Sequence, residues 1–252
     1  MKNRWDTLTQ GDTLMGSFIS TGYPVNAELM GIAGFDFVII DLEHGMGSER
    51  DILSQLHALQ ATQSIPVVRV ESHEKQRVHR LLDLGVQGIM FPRVNTAEEA
   101  AACVAAMRYP PDGVRGVATI VRAAGYGTHF NDYRGESKTN LLTIIQIESA
   151  EAVENVDAIA AVEGVDVLFV GPMDLSTSLG IFRQYDHPLF LDALDKTLAA
   201  ARRCNRAPGI LLPSVDTTRH YRDMGFRFLT AGTDVALLKA AATQLVKDLR
   251  SA

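Results

Sequence analysis

Two carboxylates, Glu148 and Asp174, lie where apolar runs typical of buried strands end. If these strands are consecutive in a parallel barrel, their carboxyl ends share one rim and the two side chains are neighbours. Carboxylates this close repel each other unless a proton or a cation lies between them. Since no cysteine is nearby, the oxygen ligands favour a hard divalent cation such as Mg²⁺ or Mn²⁺. Either residue could instead only cap the helix that follows it.

A possible acid–base pair, Asp41 and His44, follows the apolar run Phe35–Ile40. A carboxylate that orients an imidazole and raises its basicity is a common arrangement for proton transfer. Three residues in a turn need not converge, however. Asp41 and Glu43 could also serve only to accept backbone N–H groups of the turn, and both interpretations remain open.

Two arginines lie near predicted strand ends. Arg69 lies within the run Pro66–Val70, where an unpaired arginine is costly. It could form an ion pair with Glu43 or Glu71, or it could bind an anion or an enolate. Arg93 follows a second apolar run, and it could pair with a rim carboxylate or favour an acidic or hydroxylated substrate.

The segment Gly171–Ser176 precedes a short helical turn, whose backbone N–H groups could bind a carboxylate. It is neither a phosphate-binding loop nor a dinucleotide fingerprint. No GxSxG nucleophile elbow is present. No lysine follows a clear strand, so the sequence offers no obvious residue for a Schiff base.

Apolar runs alternate with helical patterns along the whole chain. The predicted strands are Leu14–Ile19, Phe35–Ile40, Ile65–Val70, Val86–Phe91, Leu142–Ile147, Val165–Val170, Ala207–Leu212 and Phe226–Ala231. The predicted helices are Glu49–Thr62, His73–Leu84, Thr96–Met107, Glu151–Val162, Leu189–Cys204, Asp216–Met224 and Asp234–Leu249. Expected N-caps are Ser48, Ser72 and Thr96, and expected C-terminal glycines are Gly34, Gly85, Gly164 and Gly225.

Eight strands alternating with helices over 252 residues predict a (β/α)8 barrel. We expect residues 1–252 to form one domain. An open, doubly wound sheet is the alternative.

One segment, Arg108–Asn140, interrupts this alternation. It is too long for an ordinary connection and too rich in glycine for a helix, which is typical of a functional or mobile loop. Its Arg122 could be an ordinary surface residue, or it could contact substrate or a neighbouring subunit.

Composition excludes several classes of function. With 24 Lys and Arg against 30 Asp and Glu, the net charge is −6, which argues against nucleic acid binding. Two distant cysteines, Cys103 and Cys204, make neither a disulfide framework nor a zinc site. Since the chain has no apolar leader and no long apolar stretch, we expect a cytoplasmic protein without a membrane partner.

Several motifs, taken in order, resemble one enzyme family, the HpcH/HpaI class II pyruvate aldolases, over about residues 14–245. The motifs are Phe35–His44, Pro66–Arg69, Arg108–Val117, Gln146–Glu148, Gly164–Ser176 and Ala207–Leu211. Each motif is weak alone, whereas their combination in this order is highly specific. The group includes 4-hydroxy-2-oxoheptanedioate aldolase and 2-keto-3-deoxy sugar-acid aldolases.

The resemblance implies a metal-dependent aldolase that reversibly cleaves a 4-hydroxy-2-oxo acid into pyruvate and an aldehyde. It implies that Glu148 and Asp174 bind Mg²⁺, Mn²⁺ or Co²⁺, that Asp41 and His44 form the acid–base dyad, and that Arg69 stabilises the pyruvate enolate. The residues implied to bind substrate are Gln146, Gly171, Pro172, Met173, Asp174 and Leu211.

The resemblance also implies a homo-hexamer, a trimer of dimers, with the last helix packed on a neighbouring subunit and the active site near an interface. Two alternatives remain. An acyl-CoA lyase of the malyl or citramalyl type usually carries extra C-terminal sequence, which we do not expect here because the sequence stops at Ala252. A non-catalytic barrel module would have lost a metal or dyad residue, whereas all of them are present.

Overall fold

The computed structural model describes residues 12–252. Residues 1–11, which belong to the predicted domain 1–252 and to the segment expected to lack an apolar leader, lie outside the described residues. Within residues 12–252, eight parallel strands pair in chain order, and the last pairs with the first, which closes a barrel. The predicted (β/α)8 barrel is therefore confirmed, and the open-sheet alternative is wrong.

Helices connect the strands around the outside of the barrel. The strands are β1 (Leu14–Ile19), β2 (Phe37–Asp41), β3 (Ile65–Arg69), β4 (Gly88–Phe91), β5 (Leu142–Ile147), β6 (Val167–Val170), β7 (Ala207–Leu211) and β8 (Phe228–Thr233). The helices are α1 (Pro24–Ile32), α2 (Glu49–Leu59), α3 (Lys75–Leu84), α4 (Ala97–Met107), α5 (Phe130–Asn140), α6 (Ala150–Glu154), α7 (Val156–Ala161), α8 (Pro172–Ser178), α9 (Pro188–Arg203), α10 (Thr218–Met224) and α11 (Asp234–Ser251). A kinked 3₁₀ segment spans Arg122–Gly127, where Ala124, Gly125 and Tyr126 have non-helical backbone angles, and a short 3₁₀ helix spans Val215–Thr217.

The eight predicted strands are all present, but four of them begin two residues later than predicted. In each case the first two residues assigned to the strand belong to the turn that follows a glycine with positive φ. Val86, Val165 and Phe226 are apolar and buried there, so the sequence predicts them as strand residues although they precede the paired part of each strand. The four expected C-terminal glycines have φ between 94° and 121°. Gly34, Gly85 and Gly225 lie directly at helix ends as predicted, whereas Gly164 lies two residues beyond the extended C-cap Val162 of α7, in the turn before β6.

The helix predictions are less complete. The structure splits Glu151–Val162 into α6 and α7, and α3 begins at Lys75, with Glu74 rather than Ser72 as N-cap. The expectation that Arg108–Asn140 contains no helix is wrong, because α5 occupies its last third. This helix is polar and buries only Ser137, so it lacks the apolar stripe that marks a helix in sequence.

The alternation of side chains along each strand divides the core into two clusters. Inward-pointing residues such as Phe37, Ile39 and Val67 fill the barrel, whereas their neighbours Val38 and Ile40 pack against the helices. The next inward-pointing residue of each strand, two positions further along, lies above this apolar layer at the carboxyl end of the barrel. The strands therefore aim their next inward side chains into one shared mouth.

No helix within residues 12–252 combines the length and the apolarity needed to cross a bilayer.

The barrel interior depends on a glycine opposite a large ring. Gly16 is the β1 partner of Phe37 in the parallel ladder, and a Cβ there would lie 2.2 Å from the Phe37 ring, which itself stacks on Phe228. We expect Gly16→Ala to lower the free energy of unfolding by about 1–3 kcal/mol, as overpacked cores do. Urea denaturation would measure it.

The matched control is Gly135→Ala in the middle of α5, where a Cβ meets nothing within 4 Å. Because alanine favours a helix over glycine, this variant should be neutral or more stable by up to about 1 kcal/mol. Equal destabilisation by the two substitutions would contradict the packing account.

Candidate active site

The mouth of the barrel collects side chains from neighbouring strands. Asp41 and Arg69 end β2 and β3 as direct partners in the parallel ladder. Gln146 lies one residue before the end of β5, and Leu211 ends β7 at the edge of the inner core cluster. The barrel therefore brings these residues together although up to 170 positions separate them in sequence.

Asp41 and Arg69 form a two-pronged ion pair. Arg69 donates from Nε to Oδ1 of Asp41 (2.9 Å) and from Nη2 to Oδ2 (2.7 Å). Asp41 also accepts the backbone N–H groups of Glu43 (3.1 Å) and His44 (3.2 Å). One buried carboxylate thus fixes both the guanidinium and the turn that follows β2.

Burial alone would lower the pKa of Arg69, but the hydrogen bond and charge of Asp41 outweigh it and raise the pKa. The charges of Glu43 and Glu148 act in the same direction. The Arg69 guanidinium also lies 4.9 Å from the centre of the Phe18 ring, which is a cation–π distance. Arg69 is therefore a fixed, permanently charged group at the barrel mouth.

Glu43 is a site residue that the sequence did not predict. Its carboxylate lies 3.3 Å from Nη1 of Arg69 and 3.5 Å from Nη2 of Arg93, so it bridges the two arginines. The expected ion pair of Arg69 with Glu43 is thus present, and its principal partner is Asp41. The sequence signals for Glu43 were its place in the turn after the strand and its being a possible ion-pair partner of Arg69.

His44 lies at the rim, with a side chain that is 67% exposed. Its Nε2 is 3.9 Å from Oε2 of Glu43. Within residues 12–252, the hydrogen bond between Asp41 and His44 involves the backbone N–H of His44 and not its ring. The structure places both residues in one turn, and the acid–base dyad stays a prediction.

Close backbone packing holds the His44 turn. Met46 donates its N–H to the carbonyl of Ser20 (2.6 Å), which ties the turn to the loop after β1. A Cβ on Gly45 would lie 2.1 Å from the carbonyl oxygen of Asp41, and a Cβ on Gly47 would lie 2.9 Å from the Cα of Gly22. Only glycines fit at these contacts.

Glu148 is nearly buried, with both carboxylate oxygens engaged. Oε1 accepts the backbone N–H of Arg93 (2.7 Å), and Oε2 accepts Nε2 of Gln146 (2.7 Å). Burial raises the pKa of Glu148 to about 7, and the charges of Asp174 and Glu43 add to this effect against the Arg93 N–H and Arg69. A carboxylate in this environment favours a bound proton or cation.

The start of α8 lies against the Glu148 carboxylate. Gly171 is its N-cap and Pro172 its first residue, and both are buried, whereas Met173 and Asp174 are exposed. A Cβ on Gly171 would lie 2.8 Å from Oε2 of Glu148. Glycine at this position therefore leaves room for the Glu148 carboxylate.

The residues around Glu148 have the oxygen atoms that a hard divalent cation prefers. Glu148 and Asp174 could supply carboxylate oxygens, and Oε1 of Gln146, which is buried without a hydrogen-bond partner among residues 12–252, could supply a third oxygen. Residues 12–252 contain no group of three or more His, Cys, Asp or Glu that could hold a metal. Waters and substrate oxygens would therefore complete the ligand set.

Arg93 and Arg122, for each of which the sequence allowed two roles, lie at different ends of the barrel. Arg93 lies at the mouth, where its guanidinium approaches Glu43, as the rim-carboxylate interpretation predicted. Arg122 donates from Nη1 to the carbonyl of Leu84 at the end of α3 (2.7 Å), which lies at the opposite end of the barrel. Arg122 therefore stabilises a helix terminus within its own chain.

A (β/α)8 barrel with buried carboxylates and a fixed arginine at the carboxyl ends of its strands has the architecture of a barrel enzyme. The model of the family described as HpcH/HpaI aldolase/citrate lyase matches residues 14–241. The chain belongs to this family.

Two curated relatives cover nearly the whole chain. The hydroxypyruvate/pyruvate aldolase of Chromohalobacter salexigens is 41% identical over 248 residues, which is 97% of this chain and 96% of the relative. The 5-keto-4-deoxy-D-glucarate aldolase of Salmonella paratyphi C is 40% identical over 236 residues, which is 94% of this chain and 92% of the relative.

A solved structure agrees with the barrel. The crystal structure of a family protein from Burkholderia cenocepacia superposes with a TM-score of 0.94 at 39% sequence identity, and the match covers 99% of this chain and 100% of the other.

The space that Gly171 leaves for Glu148 can be tested directly. Gly171→Ala should push a methyl group against the Glu148 carboxylate and weaken Mg²⁺ binding by about tenfold or more, since a 1 Å displacement at a site is costly. Calorimetric titration with Mg²⁺ would measure the affinity. Gly116→Ala is the control, because a Cβ there meets only Nδ1 of His79 at 3.9 Å. Unchanged Mg²⁺ affinity in Gly171→Ala would argue against a cation at Glu148.

Proposed function

We propose that this chain is a divalent-cation-dependent aldolase that cleaves 4-hydroxy-2-oxo acids into pyruvate and an aldehyde. The observation that carries the proposal is the buried Glu148 carboxylate in the barrel mouth, which feels the charges of Asp174 and Arg69. A cation site beside a fixed guanidinium suits a reaction in which negative charge develops on a substrate oxygen. The aldolase names of relatives about 40% identical support the same reaction.

In cleavage, the 4-hydroxyl group loses its proton, the bond between C3 and C4 breaks, and its electron pair forms the enolate of pyruvate. Protonation of C3 then gives pyruvate, and C4 leaves as the aldehyde. The reverse reaction forms the same bond, so no oxidant or further reactant is needed.

Arg69 is the group that stabilises the enolate oxygen in this proposal. Its pairing with Asp41 holds the guanidinium in one orientation before substrate arrives, so little reorganisation is needed as charge develops. Because Asp41 is already engaged by Arg69, we assign it mainly to positioning the guanidinium and the His44 turn. This assignment refines the dyad expected from the family resemblance.

His44 is the group that accepts and returns the proton of the 4-hydroxyl group. Its exposed ring at the rim can reach substrate, and its Nε2 lies 3.9 Å from the neighbouring Glu43 carboxylate. Gln146 positions Glu148, while the backbone N–H groups around Met173 and Asp174 bind the pyruvate carboxylate, with Gly171, Pro172 and Leu211 lining the site. When bound by Glu148 and Asp174, Mg²⁺, Mn²⁺ or Co²⁺ would supply Lewis acid chemistry to the 2-oxo acid group.

No observation favours the two alternatives over an aldolase. A non-catalytic module would lack one of the site residues, yet Asp41, His44, Arg69, Glu148 and Asp174 are all present at the same end of the barrel. An acyl-CoA lyase has less support, because the relatives named above are aldolases. The two cysteines are free, which agrees with the cytoplasmic location that we propose.

Pyruvate release tests the proposed function. With 4-hydroxy-2-oxoheptanedioate and a 2-keto-3-deoxy sugar acid as substrates, we expect pyruvate to form, to stop with EDTA and to return with Mg²⁺, Mn²⁺ or Co²⁺. Glu148→Gln should lower kcat by about a hundredfold or more, because it removes a charge from the cation site. Coupling to lactate dehydrogenase would report the product.

The control for this charge change is Glu163→Gln. Its side chain is 83% exposed and lies before β6, at the end of the barrel away from the site. Full activity after thorough chelation would overturn the role of the cation, and wild-type activity in Glu148→Gln would overturn the role of that residue.

A homo-hexamer, a trimer of dimers, is the assembly that we propose from the family resemblance. The last helix, α11, carries exposed leucines at 238, 245 and 249, which share one face of the helix. Within residues 12–252, only Asp234 of this helix is buried. An apolar stripe of this kind suits a neighbouring subunit.

A charge on that stripe should therefore weaken the assembly. We expect Leu245→Glu to shift the protein to a smaller oligomer, since a buried unpaired charge at an interface is costly. Thr243→Glu adds the same charge on the opposite side of the helix and should leave the assembly intact. Sedimentation velocity would measure both variants, and an unchanged oligomer in Leu245→Glu would contradict the proposed contact.

A further inference from the structure

A surface cavity of about 440 Å³ lies beside the barrel mouth, and the proposed reaction at pyruvate does not use it. It is lined by Glu71, Ser72, His73, Glu74 and Arg93. Glu71 follows β3 by two residues, and Arg93 follows β4 by two residues, so the cavity opens between the ends of these strands. A substrate that extends beyond the pyruvate group has room here.

The backbone of Arg93 joins this cavity to the cation site. Its N–H donates to Oε1 of Glu148 (2.7 Å). Its φ is 54°, in the left-handed region that residues other than glycine seldom adopt. Such conformations persist where the surrounding structure requires them, and they cluster at ligand sites. The Arg93 side chain therefore starts one hydrogen bond away from Glu148.

The Arg93 guanidinium keeps donors free. Nη2 donates to the carbonyl of Glu71 (3.1 Å) and lies 3.5 Å from Oε1 of Glu43. Among residues 12–252, Nε and Nη1 have no hydrogen-bond or ion-pair partner, and 67% of the side chain is exposed. Arginine donors in this fork are suited to a carboxylate that accepts two hydrogen bonds.

The acidic neighbours leave the charge of Arg93 available. Glu43 lies closer to Arg69, at 3.3 Å, than to Arg93. Glu71 is paired with Nη2 of Arg77 at 2.5 Å. Glu43 and Glu71 thus each have a cation nearer than Arg93. Glu74, the third carboxylate at the cavity, is exposed to solvent, which screens its repulsion of an anion, so Arg93 can bind a further anion.

The remaining cavity groups suit hydroxyl groups on the same ligand. His73 Nε2 lies 2.5 Å from the carbonyl of Pro92, and because a carbonyl only accepts, this nitrogen carries the proton. The other ring nitrogen, Nδ1, and the Ser72 hydroxyl are the polar atoms that remain for hydroxyl groups of a ligand.

We propose that Arg93 determines specificity by binding a carboxylate on the part of the substrate that leaves as the aldehyde. Preferred substrates are then 4-hydroxy-2-oxo acids with a second carboxylate at the far end. This inference rests on the proposed function, because the 2-oxo acid end must lie at Glu148 and Asp174.

The test compares two ligands that cannot be cleaved because they lack a 4-hydroxyl group. 2-Oxohexanedioate and 2-oxohexanoate have the same chain length and differ only in the terminal carboxylate. In calorimetric titrations with Mg²⁺ present, we expect wild type to bind the diacid about tenfold more tightly or better. Arg93→Asn should abolish this preference, with little change in the affinity for the monoacid.

The variants separate charge from backbone effects. Asparagine tolerates the left-handed conformation and keeps the N–H that binds Glu148. Arg93→Lys should restore part of the preference, because it keeps the charge without the fork. Arg202→Ala, at the exposed end of α9 on the far side of the barrel, removes the same charge and should retain the full preference.

A diacid preference that persists in Arg93→Asn, or that is absent from wild type, would overturn the inference. An equal loss of affinity for both ligands in Arg93→Asn would also overturn it, since Arg93 would then act only by placing Glu148. If wild type binds neither ligand, the proposed function itself fails, and the inference fails with it.

Discussion

The ion pair between Asp41 and Arg69 is the interaction on which the barrel mouth depends. A guanidinium that is largely removed from water is stable only with a close, well-aligned partner. Removal of one member of such a buried pair typically costs about 3–5 kcal/mol, because the other charge is left uncompensated. The parallel register supplies the partner by placing Asp41 and Arg69 opposite each other on β2 and β3. Asp41 then fixes the His44 turn through its remaining hydrogen bonds.

Space at the mouth comes from residues without side chains. Gly171 makes room for the Glu148 carboxylate, and Gly45 allows the turn after β2 to fold back on the carbonyl of Asp41. Asp41, Glu43 and Arg69 can lie together in the barrel mouth because each charge is close to an opposite one. Glu148 is the exception: burial and neighbouring acids raise its pKa to about 7, which is the physical reason for expecting a cation beside it.

The sequence was sufficient to predict the barrel and the neighbourhood of the site. Continuous apolar runs identify strands buried on both faces, and polar residues at their ends mark the mouth. It was not sufficient for α5, which lacks an apolar stripe, or for the pairing of Asp41 with Arg69. Strand register determines that pairing, and the register is a property of the closed sheet that spacing along one strand does not reveal. The same holds for the contact of the Arg93 N–H with Glu148, which joins residues 55 positions apart.

Exchange of the pyruvate methyl protons for deuterium tests the central claim most directly, because it needs no knowledge of the aldehyde. The account predicts that wild type with Mg²⁺ exchanges these protons in D₂O, as followed by proton NMR, and that Arg69→Lys largely loses this exchange while it keeps its circular dichroism spectrum. Lysine retains the charge but cannot form the two-pronged pair with Asp41. Exchange at the wild-type rate in Arg69→Lys, or no exchange in wild type with any of the three cations, would contradict the account.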